Sequence, residues 1–276
     1  MHMPDESQLG EMPPFCRLDR LQLRKVLDLA EARHLSGGAV VFDEGQPARR
    51  FHLLLSGHIR LVRLTAEGDQ IIVLHIPAGQ MFGIGAALGH VTRQASAIAA
   101  GNCLVLSWPN ALWPVFTRDY NGFSDEMLRA FAVRADEMSH RIVELSTKMV
   151  EQRVACALLR MIGQSGRKVA AGVEIDFPIT RQNIADMTGT TLHTVSRLLS
   201  AWEKQGLVES TRCHIVVTDP HQLVVMSGAA GRTAGRNPVL APIELQPYAA
   251  DVMVARSSAR KVASSSPYSK QASVTV

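Results

Sequence analysis

Three hydrophobic rhythms divide the chain. Between 38 and 108 the runs GGAVVFDEG, FHLLLSGHIRLV, DQIIVLHIPAG and NCLVLSW are short, β-branched or aliphatic, and broken by glycine or polar residues. Such runs predict strands. Gly57, Gly68 and Gly79 recur 11 residues apart, as expected for short strands in an all-β roll or sandwich. Within IRLVRL, alternation puts Ile59 and Leu61 inward and Arg60 and Arg63 partly outward.

From about Asp125 the period lengthens. Leu128, Phe131, Ala135, Met138, Ile142, Leu145 and Met149 follow one another at alternating steps of three and four. This is a heptad seam of roughly three repeats. Arg134, Asp136, Glu137, Arg141 and Lys148 occupy the other faces. The spacing predicts a helix over 119–150 paired with a second copy along the seam; packing on its own domain is the competing arrangement. A further helical run, QRVACALLRMIGQSG, precedes a strand-like GVEIDFPI.

The third rhythm is in MTGTTLHTVSRLLSAWEKQG, residues 187–206. Leu192, Val195, Leu199 and Trp202 mark one helical face; His193, Arg197, Ser200 and Lys204 mark the other. With the preceding ITRQNIAD, the segment fits a helix-turn-helix. Ile184 is the buried residue of the first helix and Ala185 the small contact between helices. Gly189 supplies the positive φ of the turn, and Val195 and Leu198 pack the second helix back. Thr180 caps the first helix, and Thr190 or Thr191 the second. GLVES–TRC–HIVVTDP then predicts a hairpin wing.

In such a unit the start of the second helix lies in the DNA major groove. That places Thr191, Leu192, His193, Ser196 and Arg197 at the bases. Arg197 is the expected reader, since a guanidinium can donate to guanine O6 and N7 together. Leu192 suits a thymine methyl, and His193 a base or a phosphate. Arg181 and Gln182, opening the first helix, are expected at phosphates.

The length, 276 residues, suits two domains, and 46% hydrophobic residues suffices for real cores. Net charge is +4, yet it does not argue for DNA. From Ser227 onward Arg232, Arg236, Arg256, Arg260, Lys261 and Lys270 face only Glu244 and Asp251, which accounts for the whole excess. Local placement of charge must carry the DNA-binding case. Residues 223–276 are rich in Ser, Ala, Arg and Pro without a period, and are expected to be a disordered basic tail. Cys16, Cys103, Cys156 and Cys213 form no close pair, so free thiols are expected rather than a disulfide framework or zinc ribbon. No apolar run suits a membrane span, and the N-terminus lacks a secretory pattern; no membrane partner and a cytoplasmic location are expected.

On LLLSGHIRLV, the heptad helix and ITRQNIADMTGTTLHTVSRLL, taken in that order, residues 15–222 resemble the CRP/FNR family of bacterial transcription regulators. The resemblance implies an α+β architecture. A 1–14 N-terminal arm leads into an effector domain, a β-roll like the cyclic-nucleotide-binding fold, over 15–118. A dimerisation helix (119–150), a winged helix-turn-helix domain (151–222) and the tail follow. It implies a homodimer bound to double-stranded DNA at an inverted repeat, with RNA polymerase as a further partner.

Departures from the family pattern restrict the effector. Cyclic-nucleotide binders carry Gly-Glu and, eleven residues after that Gly, Arg-Ser. Here Gly83 is followed by Ile84, and Gln94-Ala95 replace Arg-Ser, with Arg93 one residue away. Met138-Ser139 replace the base-contacting Thr-Ser of the dimer helix. cAMP is therefore disfavoured. An iron–sulfur cluster is disfavoured too, since Cys16 stands alone near the N-terminus. Gly83 to Ser96 and Met138 remain the candidate effector region. The phrase GTTLHTVSR…SAWE is most similar to the NnrR-like branch, which responds to nitrogen oxides. A gas response would call for haem or another iron centre, with His75, His90 or His52 as axial ligand and Met81 and Met138 lining an apolar pocket; no metal ligand is assigned. Two alternatives stay open: a constitutive DNA binder with a ligand-free sensor and, more remotely, a nicotinamide enzyme. The spaced glycines Gly83, Gly85 and Gly89 suggest the latter, but the acid that a dinucleotide site needs about 20 residues on is missing.

Overall fold

The computed structural model describes residues 4–66, 68 and 70–228. The apolar runs form β1 (Glu31–Leu35), β2 (Val40–Phe42), β3 (Arg50–Ser56), β4 (His58–Leu64), β5 (Gln70–Pro77), β6 (Met81–Phe82), β7 (Ser96–Ala99) and β8 (Cys103–Pro109). They build two antiparallel four-stranded sheets, ordered β1-β8-β3-β6 and β2-β7-β4-β5. Leu54, Phe82 and Val105 of one sheet and Ile59, Ile76 and Ala97 of the other share one core, so the sheets close as a roll. The expected alternation of β4 holds only in part. A register shift between Leu61 and Val62 turns Val62 into the buried position and leaves Leu64 exposed, as a bulge does.

Residues 4–14 of the expected 1–14 arm are more than an arm. Two helices, α1 (Glu6–Gly10) and α2 (Arg20–Asp28), are each started by an Asp–Gln capping box, Asp5 with Gln8 and Asp19 with Gln22. Leu9 and Phe15 are fully buried. Phe15 joins Phe51, Trp108, Phe116 and Phe123 in an aromatic cluster, and Trp108 Nε1 donates to the Val26 carbonyl at 2.8 Å. Burying each such ring contributes about 1.5–3 kcal/mol, so the N-terminal segment is integral to the roll.

After α3 (Trp113–Asp119), Gly122 in the left-handed region starts α4 (Phe123–Thr147), shorter at both ends than the predicted 119–150. The extended Lys148 and Met149 separate it from α5 (Val150–Ser165). The C-terminal part adds β9 (Gly166–Val169), β10 (Gly172–Ile175), α6 (Arg181–Thr188), α7 (Leu192–Lys204), β11 (Val208–Ser210), β12 (Ile215–Val217) and α8 (Pro220–Met226). β11 and β12 pair as the predicted wing, within a sheet ordered β11-β12-β10-β9. Helix α8 buries Leu223 and runs past residue 222, so the winged domain ends later than its hydrophobic pattern suggested. Residues 229–276 of the expected tail lie outside the described residues.

Roll and winged domain are not independent. The described residues fall within one compact unit, Met1–Arg232. Val62, Ile72 and Ala100 of the roll belong to the same buried cluster as Ile184, Val195 and Trp202.

Candidate functional site

The helix-turn-helix forms as its residues require. Thr180 Oγ1 accepts from Asn183 N at 3.1 Å, with a reciprocal bond from Thr180 N to Asn183 Oδ1. Thr191 Oγ1 accepts from Thr194 N at 3.2 Å. Gly189 turns between α6 and α7 at φ +61°, a conformation that strains any residue with a Cβ. Ile184, Ala185 and Val195 are fully buried, and Leu198 packs against the same core.

On the open side, Thr191, Leu192, His193 and Arg197 are exposed and Ser196 is half-buried. These five residues lie within the first two turns of α7 or at its cap. No hydrogen bond or ion pair to a described residue holds Arg197, so its fork is available. Arg181 is different. Its Nη2 donates to Glu203 Oε1 at 3.2 Å and to Ser210 Oγ at 2.9 Å, and the pair is half-buried. Arg181 thus ties α6 to α7 and to the wing strand β11. Gln182, exposed, donates to Asp186 Oδ1 at 2.6 Å along its own helix. Arg212, which the strand pattern alone did not single out, is exposed in the turn between β11 and β12. The basic residue in that TRC turn was its only signal.

The heptad seam lies on the outside of α4. Leu128, Met138, Ile142 and Leu145 are 48–69% exposed, and Ala135 is exposed as well; the expected last seam residue, Met149, is 76% exposed but lies past the end of α4, in the extended break before α5. Phe131 departs from the expected seam: it is half-buried and packs on the core of its own roll. The inward face is cationic. Arg134 donates to Met81 O at 2.7 Å. Arg141 donates to Val73 O, Ile72 O and Met187 O at 2.7, 2.9 and 2.9 Å, joining α4, the roll and α6.

The expected effector region is closed by its own side chains. Arg93, 7% exposed, donates to Gly83 O and Arg50 O, each at 2.6 Å, and lies over the Phe42 ring at 3.9 Å. A Cβ on Gly83 would sit 2.6 Å from Arg93 Nη1, so the glycine admits the guanidinium. Burial lowers the Arg93 pKa to about 10. Ile84 is buried and apolar where a ribose would need an acceptor, and Gln94 is exposed, donating to Thr92 O. Met138 is elsewhere. It lines a cleft of about 30 Å³ with His75, Arg141, Arg160, Met161 and Met187, to which residues 83–96 contribute nothing.

The three candidate haem histidines differ sharply. His90 is exposed. His52 is held between Ser107 Oγ (2.8 Å) and Arg93 (3.3 Å). Burial, then the nearby Arg93, Arg50 and Arg33, press its pKa down to about 3. His75 is buried with neither ring nitrogen bonded, its pKa likewise lowered to about 3, first by burial and then by Arg60, His58, Arg141 and Arg160. Its cleft holds a water or two, far less than a tetrapyrrole. Haem does not fit this arrangement.

The cyclic nucleotide-binding domain family matches residues 32–116, and the Crp-like helix-turn-helix domain family matches residues 152–226. The chain belongs to the CRP/FNR family of transcription regulators. This family member is 25% identical over 231 residues to electron transport regulator A of Shewanella oneidensis, covering 83% of this chain and 92% of that protein. It is 27% identical over 220 residues to the nitrogen fixation regulation protein FixK of Bradyrhizobium diazoefficiens, covering 77% and 88%. The structure of FixK2 from Bradyrhizobium japonicum superposes with a TM-score of 0.61 at 24% identity, covering 71% of this regulator and 96% of that chain. The regulator is thus a DNA-binding protein of β-roll plus helix-turn-helix build. The glycines 83, 85 and 89 bracket a single turn of 3-10 helix, Gly85–Leu88, without the long helix a dinucleotide site needs.

Proposed function

We propose that the protein is a homodimeric, effector-controlled transcription regulator that answers nitrogen oxides or redox state rather than cAMP. The observation that carries the DNA-reading half is Arg197, exposed and unpaired among the described residues, beside Thr191, Leu192 and His193 at the start of a capped second helix. The apolar face of α4 supports the homodimer, because a helix that turns arginines inward and Ile142 outward asks for a second apolar face. Two seamed copies would offer their α7 helices to half-sites about one DNA turn, roughly 34 Å, apart. RNA polymerase is the expected further partner.

The filled cradle around Arg93 argues against cAMP: Ile84 offers a ribose no acceptor, and Arg93 is committed to backbone carbonyls. The names of the relatives, an electron transport regulator and a nitrogen fixation regulator, support the redox and nitrogen assignment. The same sealed cradle favours a second possibility, a constitutive binder whose sensor has lost its ligand. Operator affinity of the purified protein separates the two, measured anaerobically with and without nitric oxide and with cAMP. Tenfold tightening or loosening with nitric oxide alone supports the proposal; equal, tight binding under all conditions supports the constitutive regulator.

A further inference from the structure

Helix α6 has eight residues, and arginines from outside the winged domain hold it at both ends. Near its start Arg60 Nη1, from β4, donates to Asn183 Oδ1 at 3.1 Å. The same oxygen accepts from Thr180 N at 3.1 Å, so Arg60 stands on the cap of the helix. Asp186, three residues further along α6, draws the Arg60 guanidinium by its charge. In the last turn Arg141 Nη2, from α4, donates to Met187 O at 2.9 Å, while its other bonds go to Ile72 O and Val73 O of the roll.

Two points fix a line. A helix of this length spans about 12 Å, and one contact would leave it free to swing about that point. Contacts at both ends set its direction against β4 and α4. Helix α7 goes with α6, because Ile184, Ala185 and Val195 are fully buried and Arg181 donates to Glu203 across the pair. For a paired reader, direction is what spacing tests. One base pair more or less between half-sites moves the second by about 3.4 Å and by roughly a tenth of a turn. A dimer with firmly aimed recognition helices rejects that change, and one whose helices swing tolerates it. A lone half-site makes no such demand.

We propose that Arg60 is a positioning residue for operator reading: its hold on Asn183, with Arg141 at the far end of α6, aims α7 relative to α4 and so restricts the half-site spacing that the dimer accepts. The inference deepens the function proposed above and rests on its homodimer for the spacing, though not for the hold on α6. Arg141 also braces the roll, so Arg60 is the cleaner probe.

The test uses the full-length protein and the inverted repeat it binds. Half-sites are moved together or apart by one to three base pairs, beside a duplex carrying a single half-site, and affinities are read by fluorescence anisotropy. The parent is expected to prefer its best spacing by at least tenfold over its neighbours. Arg60→Met should cut that preference at least fivefold while binding the lone half-site within twofold of the parent. Arg60→Lys, which keeps a charged donor, should recover part of the preference. Arg60→Gln, too short to reach Asn183, is the second variant should Arg60→Met fold poorly. An unchanged spacing profile overturns the inference, since Arg60 then aims nothing. An equal loss on every duplex, the lone half-site included, overturns it too, since Arg60 then only supports the fold. A parent that binds no inverted repeat counts against the homodimeric reader proposed above. Hydrogen exchange then decides Arg60 separately: faster exchange of α6 amides in Arg60→Met, with α4 unchanged, upholds the hold on α6, and parental rates overturn it.

Discussion

Arg197 and Arg181 show how differently two arginines of one motif can be used. The exposed place of Arg197 on α7 was legible in the sequence because it follows from position on one helix. Arg181 was not, because its partners Glu203 and Ser210 lie 22 and 29 residues away, and only the folded domain brings them together. Arg197→Ala is expected to cost about 1–3 kcal/mol of operator affinity and to relax preference at one base pair, as measured by fluorescence anisotropy on operator variants. Arg181→Ala should instead lower the melting temperature of the protein with no DNA present. The buried histidines were equally illegible, since nothing local distinguishes His52 or His75 from the exposed His90. Their pKa values lie near 3 in the folded protein against 6.5 when free, so the unfolded chain binds more protons between those values. Their contribution is whole above pH 6.5 and fades as pH falls toward 3. Between pH 6.5 and 5, stability should drop by about 1–2 kcal/mol per histidine. Denaturant melts of His52→Asn against the parent across this range check it: the variant's curve should be flatter.

Helix α4 illustrates what periodicity tells and what it leaves out. The three–four alternation located the helix and its apolar face. It could not say that the opposite face would be arginines bonded to carbonyls of the roll and α6, because those acceptors are backbone atoms with no sequence signature. Nor could it separate Phe131, which a turn near the roll draws inward, from Ile142, which stays out. Ile142→Glu should leave the fold of each chain intact, since the residue is 63% exposed, while weakening the dimer. Sedimentation at micromolar concentration should show the parent dimeric and the variant largely monomeric, with unchanged circular dichroism. The short α1 and α2 carried a signal too, their Asp–Gln capping boxes, but the hydrophobic pattern alone passes over helices this short.

Across the molecule, the roll and the winged domain share a core and a set of polar ties, so the helix-turn-helix is positioned by the roll rather than tethered beside it. The two-domain organisation was readable; the contact between domains was not, because Arg60, Arg141 and His58 look like ordinary surface residues of a strand or helix. Removing one tie should loosen the joint. Arg141→Met leaves three carbonyls without their donor and is expected to cost on the order of 2–4 kcal/mol, read as faster hydrogen exchange in both β5 and α6. The account stands or falls on sequence-specific recognition by a paired recognition helix. Selection of bound duplexes from a random DNA pool by the purified full-length protein tests it most directly. The predicted result is enrichment of an inverted repeat whose half-sites are centred about one helical turn apart. Recovery of unenriched DNA, or of a lone half-site with no symmetric partner, would contradict it.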